Sequence, residues 1–104
     1  MHGLNPFNRD STENHAWNTW RKPGIADGNL WLRDKLPEVA PNARIFLYAY
    51  NANPVFSASK ERLVHQADDL LETLHLKRTK DPTRPIIFVG HSLGGIVIKQ
   101  VIFP

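Results

Sequence analysis

With 104 residues, 41% hydrophobic and 22% charged, the chain is one small globular domain and not a disordered tail. It contains no cysteine, which excludes a disulfide framework and any thiolate metal site. A net charge of +3 with dispersed cations excludes the concentrated basic face that nucleic acid requires, and no apolar run is long enough to span a membrane.

Met1-His2-Gly3-Leu4 opens the chain, and His-Gly before an apolar residue is a common start for a loop that supplies an oxyanion donor. Residues 5–28 are rich in Asn, Pro, Gly, Asp and Ser and read as loop, with Trp17 and Trp20 expected to cap the edge of the core. A short helix is predicted over 29–36, with Leu32 and Leu36 on one face and Pro37 ending it. Residues 43–50, almost unbroken in apolar character apart from Arg44, read as a buried strand. A loop containing Pro54 follows.

The clearest helix is predicted over 59–76, with Ser59 as N-cap. Leu63, Val64, Ala67, Leu70, Leu71 and Leu74 form one stripe, and Asp68 and Asp69 fall on the wet side as solvated charges. His65 and His75 lie on different sides and make no metal pair. Residues 77–84 carry four cations and read as a polar connector, although the same cations suit a phosphate or an anionic surface. Ile86-Ile87-Phe88-Val89, bounded upstream by Pro82 and Pro85, reads as a second buried strand. Strand, helix, strand in this order is a right-handed parallel crossover, so the fold class expected is α/β.

That second strand runs into Gly90-His91-Ser92-Leu93-Gly94-Gly95, and a helix is predicted over 93–103. Strand, Gly-x-Ser-x-Gly, helix is the setting of a nucleophile elbow, in which strained backbone lifts the serine hydroxyl clear. Gly90 and Gly94 are expected where strand and helix cross closely, and the Leu93 amide lies at the positive end of a helix. A glycine-rich turn of this kind also serves purely structural ends. A phosphate loop would need Gly-x-x-x-x-Gly-Lys-Ser/Thr, and Lys99 comes a helical turn too late for it.

On these segments, from His2-Gly3-Leu4 through residues 30–37 and 43–50 to 85–100, the chain resembles α/β-hydrolases of the lipase-like, serine-active-site-protein group. In fungi such domains are often fused to nucleotide-binding and repeat domains. The resemblance implies a partial α/β-hydrolase fold over 1–104, with Ser92 as nucleophile and the backbone N–H groups of Leu4 and Leu93 as oxyanion donors. His2, Gly3, Gly90, His91, Gly94 and Gly95 complete the motif. It implies an ester or lipid substrate, no cofactor, no metal, no nucleic acid, and fusion to or association with other domains.

The family triad runs Ser, Asp or Glu, then His, yet no Asp, Glu or His follows Ser92. His91 on so tight a turn points away from the serine. The strand that leads into His-Gly in this fold does not precede Met1, so the expectation is a truncated fragment with unpaired apolar edges. Two functional readings follow: part of a serine esterase, or an inactive remnant serving interaction or regulation. Acyl transfer to an acceptor other than water uses the same groups. The absence of cysteine and of signal-peptide character points to the cytoplasm.

Overall fold

Capping serines mark where two of the helices begin. The computed structural model describes residues 1–5, 11–21, 30–53 and 59–104, the Glu13 side chain excepted. Helix α1, Thr12–Asn18, starts where the Ser11 hydroxyl accepts the Asn14 N–H at 3.2 Å. It lies within the stretch expected to be loop. A capping serine, with no glycine or proline from residue 11 to 21, outweighs the polar composition, and Ala16 turns into the core. The rest of that expected loop lies partly outside the described residues.

The single helix expected over 29–36 is two short ones, α2 (Trp31–Asp34) and α3 (Leu36–Val39). The Asp34 carboxylate turns back to accept the Leu30 N–H at 3.0 Å and the Arg33 Nε–H at 2.7 Å. The chain then breaks helical geometry at Lys35, φ −120°. Pro37 does not stop a helix; it sits in the first turn of α3, where its missing N–H costs nothing.

Helix α4, Lys60–Lys77, begins at Ser59, whose hydroxyl accepts the Arg62 N–H at 3.3 Å. Ala67 and Leu70 are buried and Leu63, Val64 and Leu74 half-buried, while Leu71 is left exposed on the flank of the stripe. Helix α5, Leu93–Ile102, packs against α4. Between them lies the core: Tyr50, Ala52, Ala67, Leu93 and Val97, with Met1, Tyr48, Leu63 and Val101 against it. The loop expected around Pro54 lies largely outside the described residues.

The α/β fold class is overturned. Among the described residues the regular structure is helical and no strand is present; 43–50 and 86–89 run as irregular backbone. A strand exists through its ladder, and these two segments share no backbone hydrogen bond among the described residues. They are joined instead by a side chain at one end, the Arg84 guanidinium donating to the Asn42 carbonyl. At the other end residues 1–3 lie between them. Apolar content alone therefore did not make strands: Ile87 is 88% exposed, and Phe46, Ile86 and Val89 are also exposed. The only bridge among the described residues is isolated and antiparallel, Arg21 with Leu30. No helix among them is long and apolar enough to cross a membrane.

Candidate active site

Ser92 stands at the N-cap of α5 with φ 53° and ψ −120°, and among the described residues it is the non-glycine residue with positive φ. An L side chain in this region costs about 1–3 kcal/mol and persists only where the surroundings impose it. Here they do. The Gly94 N–H donates to the His91 carbonyl at 3.0 Å and the Gly95 N–H to the Ser92 carbonyl at 2.9 Å, so the turn is closed on both sides of the serine. The Ser92 side chain is exposed and makes no capping bond.

The N-terminal strap is threaded through this turn. The Met1 nitrogen donates to the Val89 carbonyl at 2.5 Å, and the His91 N–H donates to the Met1 carbonyl at 2.9 Å. Asn5 N–H donates to Ala52 O at 3.0 Å, tying the strap's other end to the core. Gly94 is where α5 crosses it: a Cβ there would lie 2.6 Å from the Met1 oxygen and 2.7 Å from the His2 oxygen. Gly3 abuts the serine itself, since a Cβ on it would come 2.9 Å from both Ser92 Cβ and His91 Nδ1. Gly90 packs likewise against the Gly95 backbone, whereas Gly95 faces open space.

His2 is buried and stacked on Tyr50, ring centroids 4.3 Å apart. The Tyr50 N–H donates to His2 Nε2 at 3.2 Å and the Tyr50 hydroxyl to the His2 carbonyl at 2.6 Å. Burial lowers the His2 pKa from its ordinary value, with the bond to Gly3 opposing and the neighbouring His15 and N-terminal amine adding to the depression. Burial also raises the Tyr50 hydroxyl's pKa, keeping it a donor. Tyr50 and His15 escaped the sequence reading. The signal for Tyr50 was an aromatic ending an apolar run; His15 gave none, because its partner is a backbone oxygen twelve residues away.

A cleft of about 330 Å³ opens beside the strap, lined by Gly3, Leu4, His15, Asn18, Thr19 and His91. The Leu4 side chain is exposed, and Leu93 is buried in the core behind the serine. The His91 ring meets Trp20 edge to face at 6.5 Å, and Trp20 in turn meets Trp31 at 6.4 Å. Trp17 is exposed. Among the described residues no hydrogen bond reaches the Ser92 hydroxyl, and His15 points its Nε2 at the Gly3 carbonyl, 3.1 Å away. The arrangement therefore combines an exposed hydroxyl on strained backbone, a helix N-terminus and a close-packed glycine strap, with no base hydrogen-bonded to the serine among the described residues. No family model, curated protein or solved structure matches the chain.

Proposed function

We propose that Ser92 is the nucleophile of acyl chemistry on an ester or lipid substrate. The observation that carries this reading is the positive φ of Ser92 at the head of α5, with Gly3 pressed against it. In the reaction Ser92 Oγ forms a bond to the substrate carbonyl carbon as the alcohol leaves, and the hydroxyl proton passes to a base and on to the leaving alkoxide. The Leu93 N–H at the helix N-terminus and the Leu4 N–H of the strap are the donors for the developing oxyanion; each such donor is worth roughly 2.7–4 kcal/mol. Water, or another acceptor, then releases the acyl group. The resemblance to lipase-like hydrolases supports this substrate class, and a cysteine-free composition suits a cytoplasmic setting.

A second reading has its own observation. With no base hydrogen-bonded to Ser92 among the described residues, acylation without turnover fits a chain retained for interaction or regulation within a larger assembly. A fluorophosphonate probe separates the outcomes, because its fluoride leaves as Ser92 Oγ bonds phosphorus. Labelling of the wild type that disappears in Ser92→Ala supports the nucleophile; equal labelling of both removes it. Sustained release of p-nitrophenol from p-nitrophenyl acetate, lost in Ser92→Ala, favours the esterase over the non-catalytic module.

A further inference from the structure

The carbonyl oxygen of Gly3 accepts from two imidazoles, His2 Nδ1 at 2.9 Å and His15 Nε2 at 3.1 Å. The tautomers follow from the partners. The Tyr50 N–H can only donate to His2 Nε2, so the proton of His2 sits on Nδ1 and points at Gly3 O. A carbonyl can only accept, so His15 carries its proton on Nε2. The two rings meet edge to face at 4.6 Å, and the Tyr50 ring stacks on His2. Packing thus holds the pair around one oxygen.

That oxygen belongs to the peptide unit whose N–H is Leu4's. In a trans peptide the C=O and N–H point in opposite directions, so fixing one fixes the other. Donors on the oxygen also polarise the unit and strengthen its N–H as a donor. We propose that His2 and His15 are positioning residues that clamp the Gly3 carbonyl and so aim and strengthen the Leu4 amide as an oxyanion donor. The inference rests on the reading of Ser92 as nucleophile. It gives His15 a role other than general base: its Nε2 proton is committed to Gly3, and it borders the cleft where an acyl group would enter.

The test is the second-order rate of fluorophosphonate labelling, mapped to Ser92, in wild type, His15→Leu, His15→Gln and Ser92→Ala, with thermal midpoints for each. Loss of orientation predicts labelling about tenfold slower in His15→Leu. His15→Gln, whose side-chain N–H restores a donor, should stay within about threefold of wild type. The Leu4 amide proton resonance should move upfield in His15→Leu and less so in His15→Gln. His15→Leu labelled at the wild-type rate, while Ser92→Ala abolishes labelling, would sink the clamp and leave the nucleophile standing. Equal slowing in the Leu and Gln variants with equal loss of thermal midpoint would also overturn it, as a purely structural effect. Wild type and Ser92→Ala labelled alike would remove both readings together.

Discussion

The two ends of the segments 43–50 and 86–91 are built on opposite terms. Toward Tyr50 and His91 the backbone is paired to the strap, Tyr50 is buried, and Gly3, Gly90 and Gly94 stand where a larger residue would collide with its neighbours. Toward Ile45 and Ile87 the side chains are equally apolar, yet they face solvent, and no ladder joins the backbones among the described residues. Hydrophobicity is common to both ends. Among the described residues a third segment, the strap, supplies backbone and imidazole partners only at the first end, and a buried unpaired amide is too costly for collapse without such partners. Among the described residues, the backbone pairing of these two segments with the strap therefore lies beside the serine turn.

Gly94→Ala should produce the largest effect. Elsewhere in a helix the change would help by up to about 1 kcal/mol. Here the methyl would stand 2.6 Å and 2.7 Å from two carbonyl oxygens of the strap, which are backbone and cannot swing aside. A loss of about 2–3 kcal/mol is expected by denaturant titration, together with loss of Ser92 labelling. Gly95→Ala is the matched control one residue on, where nothing lies within 4 Å. It should be neutral or stabilising by about 0.5–1 kcal/mol. Equal penalties at the two positions would mean that α5 does not cross the strap as described.

Ser92→Gly should act in the opposite direction. Relief of the positive φ stabilises by about 1 kcal/mol relative to Ser92→Ala, after the added unfolded-state entropy of glycine is subtracted. Both variants lose labelling. If glycine and alanine give the same unfolding midpoint, the turn carries no strain, and the observation behind the proposed function weakens with it.

How much of this could be read beforehand follows from what is local. The turn at Ser92, the cap at Ser59 and the inward Ala67 and Leu70 depend on neighbours within a helical turn or two, and sequence spacing reports such neighbours. The helix at Thr12–Asn18 was masked by its composition, although Ser11 marked its start. Strands at 43–50 and 86–89 were inferred from apolar runs, but a ladder depends on which segment comes alongside, which no apolar run specifies. The imidazole grip on Gly3 joins residues 2, 3, 15 and 50 through a backbone oxygen, and neither spacing nor residue type announces it.

A smaller effect is expected from pH. His2 accepts the Tyr50 N–H through a lone pair that protonation removes, and its pKa is lowered by burial. For a base depressed in the folded state, the unfolded chain takes up the proton first as pH falls. The stabilisation is thus complete above the ordinary histidine pKa of about 6.5 and declines as pH drops below it toward the folded value. The groups facing His2 are the His15 ring, the Met1 amine and Tyr50. Urea midpoints from pH 8 to 5 should therefore fall more steeply for wild type than for His2→Asn. Parallel curves would mean that His2 is not held neutral at the paired end.

The smallest effect belongs to the other end. Ile87 is 88% exposed, so Ile87→Lys removes almost no buried surface and should change stability by less than about 0.5 kcal/mol. What should change is self-association: a charge among exposed Ile86, Ile87 and Val89 lowers light scattering at high protein concentration. A dilute-solution penalty above about 1 kcal/mol would contradict that exposure, because only a covered side chain can lose so much on gaining a charge. The contrast between the ends would then have to be redrawn, with 86–89 ordered by a partner rather than left open to water.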